Sequence, residues 1–345
     1  MQPRLKAHII QAARDRMKKP GSLVHLLRMV WHIIEPTTPY LHNWHVDVVC
    51  DHLEKLYSGE IKDLLINIPP GCMKSTLCSV VFPIWCWIQE PGYRSLCASY
   101  DSGNALRDAQ KMIDVVSSEW FKARWGDSVM LTSSKPAAGR FGNTAKGSRY
   151  SLSLGMGITG KHFDLINIDD PHNAKMVSVA DIKAFEGIWR NVLPTRARTP
   201  KNLKRLMAMQ RLHFKDGSAL FMKEPSCVHL CIPMEYNPKT TIRTDYFTDP
   251  RTEENELMWP DRFDRAYVEK TKITMGPQNA ASQFEQNPVP DGGLLFKSEW
   301  FQFYDVLPER LDEMLISVDC TFAGSDNSDY TVLQVWAREG GRYYL

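Results

Sequence analysis

Asp63-Leu64-Leu65-Ile66-Asn67-Ile68 is an apolar strand pattern that runs into Pro69-Pro70-Gly71-Cys72-Met73-Lys74-Ser75-Thr76, a turn followed by a lysine and two hydroxyls. That order suits a nucleotide-phosphate cradle. A strand end throws the chain into a loop whose backbone N–H groups face a phosphate, and the following helix N-terminus adds its partial positive charge. Residues Gly71, Cys72, Met73, Lys74, Ser75 and Thr76 would line such a cradle, with Lys74 on the β/γ oxygens and the Ser75 hydroxyl on a bridging Mg²⁺. The usual spacing G-x-x-x-x-G-K-[ST] is only partly met: Ile68 and Met73 stand at its two glycine positions, and Gly71 alone supplies easy left-handed geometry.

A second strand pattern, Phe163-Asp164-Leu165-Ile166-Asn167-Ile168, ends in Asp169-Asp170-Pro171, two adjacent carboxylates roughly a hundred residues beyond the loop. Mg²⁺-dependent triphosphate hydrolysis needs such a pair. Asp169 is assigned to the metal, and Asp170 to water positioning or general-base work. A third strand, Leu206 to Met209, presents Gln210 and Arg211 at its end, where a polar residue can sense the γ-phosphate. His45 beside Trp44, ahead of the loop strand, is placed to touch an adenine. His42, His45 and His52 match no zinc spacing and have no cysteine pair to complete a tetrahedron, so no metal is expected there.

The elements that must position these residues alternate strand and helix, which indicates a parallel sheet with helices on its faces. The 345 residues, 43% of them hydrophobic, can bury a large core. Lys and Arg number 42 against 40 Asp and Glu, so any nucleic-acid contact must come from local patches. Eight cysteines without a C-x-x-C pair read as reduced thiols. The most apolar run, Cys78 to Ile88, is about half a bilayer span, and the N-terminus carries no signal-peptide pattern, so no membrane association is expected. Residues 1 to about 35 read as a helical, basic lead, taken as a solvated arm. Ser178-Val179-Ala180-Asp181 reads as a capped helix start. Arg190, Arg196, Arg198, Lys201, Lys204, Arg205, Arg211 and Lys215 form a run with no acid among them, a candidate phosphate-tracking surface. Boundaries are expected at 1–40 for the lead, 41–235 for the nucleotide domain, 236–305 for a linker and 306–345 for the start of a further domain.

In these segments the chain resembles the large terminase subunit of tailed bacteriophages. The phosphate loop, Ile168-Asp169-Asp170-Pro171 and Gln210-Arg211-Leu212-His213 look like that family's nucleotide site and coupling segment. Leu257-Met258-Trp259-Pro260-Asp261-Arg262-Phe263 and Gln286-Asn287-Pro288, followed by Gly292-Gly293-Leu294-Leu295-Phe296, look like its boxes between motor and nuclease. The resemblance implies an ASCE/RecA-like P-loop ATPase, then a linker and a truncated ribonuclease-H-like nuclease domain. It implies ATP and Mg²⁺ as ligands, and double-stranded DNA, a small terminase subunit, a portal or procapsid and a homo-oligomeric ring as partners. Location in the host cytoplasm during assembly, outside the mature virion, goes with it. Met314 to Asp319 looks like the opening nuclease strand, with Asp319 as a metal ligand and Asp326 and Asp329 in the next turn. DNA cleavage is not expected of 345 residues. The family's transition-state arginine is assigned first to Arg149, then Arg140, with Arg211 possible. Asp170 stands where many related motors have glutamate. A helicase-like DNA-dependent ATPase and a non-hydrolytic DNA-binding scaffold remain the alternatives.

Overall fold

The computed structural model describes residues 3–154, 160–173, 177–239, 244–289, 300, 302–320 and 332–345, with side chains from residue 8 onward. Two compact units separate by contact, Met1–Pro290 and Asp291–Leu345.

The first unit opens with α1 (Pro3–Met17), α2 (Ser22–Ile34) and α3 (Trp44–Ser58), then β1 (Asp63–Asn67). A π-helical segment, Thr76–Val81, continues into α4 (Phe82–Gln89), followed by β2 (Arg94–Ser99), α5 (Ser102–Ser117) and α6 (Glu119–Trp125). The hairpin β3 (Arg140–Gly142) and β4 (Ser148–Ser153) precedes β5 (Leu165–Asp169), α7 (Val179–Asn191) and β6 (Lys204–Met209). The unit closes with α8 (Gly217–Phe221), β7 (Cys227–Cys231) and α9 (Arg265–Gln283).

Seven strands form one sheet in the order β3-β4-β2-β5-β6-β1-β7. All neighbours are parallel except β3, which pairs antiparallel with β4 at the edge. The expected α/β architecture is therefore observed. Period-two alternation sorts the strand residues onto two faces. Leu64, Ile66, Leu206 and Ala208 join a core with α2, α3, the π segment and α5, whereas Leu65, Met207 and Met209 join Phe185, Trp189 and Phe221 on the other side. Each fully buried Leu or Ile contributes roughly 1.5–3 kcal/mol, so the strand ends that carry the polar residues are firmly held.

The lead is not one solvated helix. Gly21, at φ 70, breaks it between α1 and α2, and α2 buries Leu23, Leu26, Leu27, Val30, Trp31 and Ile34. That spacing is the apolar stripe of a helix packed on a core. The basic residues are partly engaged: Arg14 bonds Asp127 at 2.8 Å, and Arg16 caps the carbonyls of Pro20 and Gly21. The capped start of α7 is present, with reciprocal bonds between Ser178 and Asp181. No helix among the described residues is long and apolar enough to cross a membrane.

The second unit contains an antiparallel sheet in the order β10-β9-β8, from β8 (Glu313–Asp319), β9 (Val332–Glu339) and β10 (Arg342–Tyr344). Asp319 closes β8 opposite Val332 and is exposed. Asp326, Asp329 and the stretch 292–296 lie outside the described residues.

Candidate functional site

The loop Pro69 to Thr76 leaves the buried C-terminal end of β1. Pro69 and Pro70 carry no N–H, so the donors of the loop come from Gly71 onward. Gly71 and Met73 both adopt left-handed backbone, at φ 79 and 63. Met73 therefore takes the conformation that a glycine would supply at that point of the pattern, at a cost of roughly 1–2 kcal/mol for a residue with a Cβ. Its half-buried side chain packs on the core, which offsets that cost.

Behind the loop sits His45, fully buried at the start of α3, with its ring 4.9 Å from that of Trp259 and a bond to the backbone of Cys72. Burial pushes His45 down to about 4, so it is neutral, and its Nδ1 lies 2.6 Å from Asn43 Nδ2. Phe263 covers the front: a Cβ on Gly71 would lie 3.1 Å from its ring. Asn43 ties the same segment down through the Met258 carbonyl at 2.9 Å. Trp44 is stacked on Phe247, with centroids 5.9 Å apart, and has the Arg251 guanidinium on its ring. The Cys72 thiol is buried and pushed up to about 12 by desolvation.

Lys74 reaches across the strand ends. Its Nζ donates to Gln210 Oε1 at 2.5 Å and lies 3.1 Å from Asp170 Oδ2, so the ends of β1, β5 and β6 meet at one ammonium. Burial works against this charge, but the pull of Asp170 and Asp169 exceeds it and holds the Lys74 pKa above its usual range. Asp169 is buried beside Asp170. Desolvation first and the neighbouring carboxylate second raise it to about 7, with Lys74 opposing. Its Oδ2 accepts from Ser79 Oγ at 2.9 Å, and the Ser75 hydroxyl lies against the same carboxylate. Asp170 is left-handed at φ 45 and is held there by its own N–H to Ala208 O at 2.9 Å and by Tyr100 N–H to its carbonyl at 3.0 Å. A strained residue fixed by its surroundings is a feature of functional sites.

Asp169 Oδ1 and Asp170 Oδ1 are buried without a protein partner. Mg²⁺ is usually held through one or two carboxylates, waters and substrate phosphates, so these oxygens with the Ser75 hydroxyl fit that ion. No cluster of three or more acidic, His or Cys side chains suited to a metal exists among the described residues. A cavity of about 180 Å³ opens beside the carboxylates, lined by Ser75, Ser79, Ser99, Asp108, Arg149 and Asp169 among others. Arg149 is wholly buried in its wall: Nη1 donates to the Ser79 carbonyl, Nε to Ser151 Oγ at 3.0 Å, and Nη2 has no partner.

The structure thus gathers Lys74, Ser75, Asp169, Asp170 and Gln210 at one end of the sheet, and the Arg149 side chain reaches the same cavity from the start of β4. Arg211 turns away to Asp216 at 3.1 Å, Arg140 lies on the edge strand β3, and Asp319 belongs to the second unit. Sequence reasoning missed Ser79, one helical turn past Ser75, and placed Gln286 only in the Gln286-Asn287-Pro288 box without its bond to the site, where its Oε1 accepts the Arg211 N–H at 2.9 Å. Nor did it connect Trp259 and Phe263 with the loop they pack against. Half of the basic residues in the acid-free run at 190–215 find carboxylates in three dimensions, Arg211 through Asp216 among them. Arg190 meets Glu186, Arg198 meets Asp164, and Arg205 meets Asp63 and Glu224.

No protein-family model and no curated protein matches the chain. Among solved structures it is similar to phage large terminases. The HK97 large terminase aligns at 10% identity and TM-score 0.48, covering 76% of this chain and 53% of that one. The ATPase domain of the Thermus phage P74-26 large terminase aligns at 11% identity and TM-score 0.47, covering 75% and 97%. A large terminase from another thermophilic bacteriophage, in complex with ADP, aligns at 12% identity and TM-score 0.41, covering 85% and 65%. The chain spans about half the length of the HK97 protein.

Proposed function

We propose that the chain is the ATP-hydrolysing subunit of a viral DNA-packaging motor, acting as a ring at a portal with a small terminase subunit and moving duplex DNA into a procapsid. The observation that supports it best is the Lys74 ammonium, bonded at once to the carboxylate after β5 and the amide after β6. In this reading the loop amides and Lys74 take the β- and γ-phosphates, and Lys74 exchanges Asp170 for a phosphate oxygen when ATP enters. Ser75 and Asp169 would hold Mg²⁺, which, when bound, neutralises the charge developing on the phosphates. Asp170, freed from Lys74, orients the attacking water, and Arg149 stabilises the transition-state charge from the cavity wall. Gln210 loses its lysine partner in the same exchange, and so registers whether the γ-phosphate is present. Asp319 is assigned to a two-ion phosphodiester-cleaving site in the second unit.

The test is ATP turnover with and without duplex DNA for the wild-type chain, Lys74→Ala and Asp170→Asn. Turnover that DNA stimulates and that each substitution lowers by 10²-fold or more supports the reading. Equal rates in all three would leave a DNA-binding scaffold with an idle nucleotide fold, and strand separation by the wild type would favour a helicase.

A further inference from the structure

Positive charge collects at a place that the linear sequence does not announce. A trough of about 550 Å³ runs along the β3–β4 edge, lined by Arg94, Arg140, Lys146, Tyr150, Lys161 and His162 among others, with no Asp or Glu in its wall. They come from β2, the β3–β4 hairpin and the stretch before β5, so no single charge run marks them in the sequence. None of the side chains of Arg94, Arg140, Lys146 and Lys161 makes an ion pair among the described residues. The adjoining stretch 155–159, outside the described residues, contains no acidic residue. This is the reverse of the 190–215 run, half of whose basic residues find carboxylates.

The trough is built rather than merely charged. Arg140 and Lys161 each lie 4.9 Å from the centroid of the Tyr150 ring, so the two charges are at most twice that apart. The ring itself is buried against Phe163. Asn143, almost wholly buried, fixes the β3–β4 turn: its Oδ1 accepts from the N–H groups of Ala145 and Gly147, both at 3.0 Å, and its Nδ2 donates to Pro91 O at 2.8 Å. Gly147 is required there, because a Cβ would fall 2.1 Å from the Pro91 carbonyl. Lys146 is thereby presented from a turn with little freedom, at φ 71.

The trough sits where β2 and β4 begin and just before β5, whereas Lys74 and Asp169 lie at the other end of the sheet. Strands of five or six residues separate the two by roughly 17–20 Å. A channel of unpaired cations around an aromatic, remote from the nucleotide chemistry, matches a chain of regularly spaced phosphates. We infer that the β3–β4 trough binds the phosphodiester backbone of duplex DNA, independently of base sequence. The choice of DNA rests on the packaging function proposed above.

The experiment is fluorescence anisotropy of a labelled 30-base-pair duplex with the full chain, titrated across salt. Each lost phosphate contact lowers the slope of log K against log[salt] by about 0.9. Lys146→Ala/Lys161→Ala should therefore flatten the slope by about 2 and weaken binding at 0.1 M salt by roughly sixtyfold, equally for two unrelated sequences. Lys146→Arg/Lys161→Arg should keep both, and the thermal midpoint and DNA-free ATP turnover should not change. Slope and affinity unchanged in the alanine pair would overturn the inference, as would absence of duplex binding by the wild type. So would displacement of the duplex by polyglutamate at equal charge concentration, which would make the trough an acidic-peptide site. Failure of the motor reading is separate: it would appear as unaltered turnover in Lys74→Ala, whatever the salt slope.

Discussion

Replacing Lys74 with methionine keeps the length of the side chain and removes the cation that faces Asp169 and Asp170. Both carboxylates then share a buried corner without a counter-charge. Breaking a buried ion pair from one side costs about 3–5 kcal/mol. The Asp170 side chain is 31% exposed, which places the expected loss near the low end, about 3 kcal/mol. Asp170→Asn added to Lys74→Met removes one of the stranded charges, so the double variant should regain most of that stability, with a coupling energy of about 2 kcal/mol. Turnover should stay lost in all three variants. The assay is urea unfolding of the nucleotide-free chain in a magnesium-free buffer, read from the midpoint at constant m-value. Because burial and Asp170 raise Asp169 to about 7, the deficit of Lys74→Met should be larger at pH 8 than at pH 6, where protonation relieves the crowding. Additivity of the two substitutions within 0.5 kcal/mol would refute the pairing, and with it the account of what ATP displaces.

His229, like His45, is held neutral by burial and lowered to about 4. As pH falls, the unfolded chain takes up a proton near 6.5 and the folded chain does not, so the stability is complete above 6.5 and drains away toward pH 4, at about 1.4 kcal/mol per unit for each histidine. His229→Gln, which can keep a bond to Asn67 Oδ1, should remove one histidine's share of that slope; an unchanged pH profile of the urea midpoint would contradict the burial argument. Gly71→Ala places a Cβ against Phe263 at φ 79 and should cost about 1–2 kcal/mol. Adding Phe263→Ala should not restore it, since the backbone strain remains; full rescue in unfolding experiments would show that contact alone was at fault.

The strand ends of this fold were legible because apolar runs bounded by polar clusters are local signals. Leu64 to Ile68 and Leu165 to Ile168 announce buried strands, and the lysine and aspartates follow directly. What depended on distant pairing was not legible. Periodicity marked α2 as helical, but its basic flanks suggested solvent, and only its neighbours reveal that the Leu23 to Ile34 stripe is core. The run from Arg190 to Arg211 looked uncompensated because its acids, Asp63, Asp164 and Glu224, are scattered along the chain. The gathering of Arg140 and Lys146 with Arg94 and Lys161 at the β3–β4 edge was hidden for the mirrored reason, since the sheet and not the sequence brings them together. Gln286 was marked only as the start of Gln286-Asn287-Pro288: a left-handed glutamine at φ 54 is intelligible once the Arg211 amide is found beside it.

The wide π turn that follows the loop after β1 ties several strands of the site together. Consecutive carbonyls of that segment, those of Cys78 and Ser79, are taken by Asn167 from β5 and Arg149 from β4. Loop, β4 and β5 are thereby bolted into one block, and sliding any of them would strand buried donors. On the other side of Lys74 the end of β6 is tied to β1 and to the stretch leaving α9: Met209 O accepts from Asn67 Nδ2 at 2.9 Å, and the Arg211 N–H, next to Gln210, donates to Gln286 Oε1 at 2.9 Å.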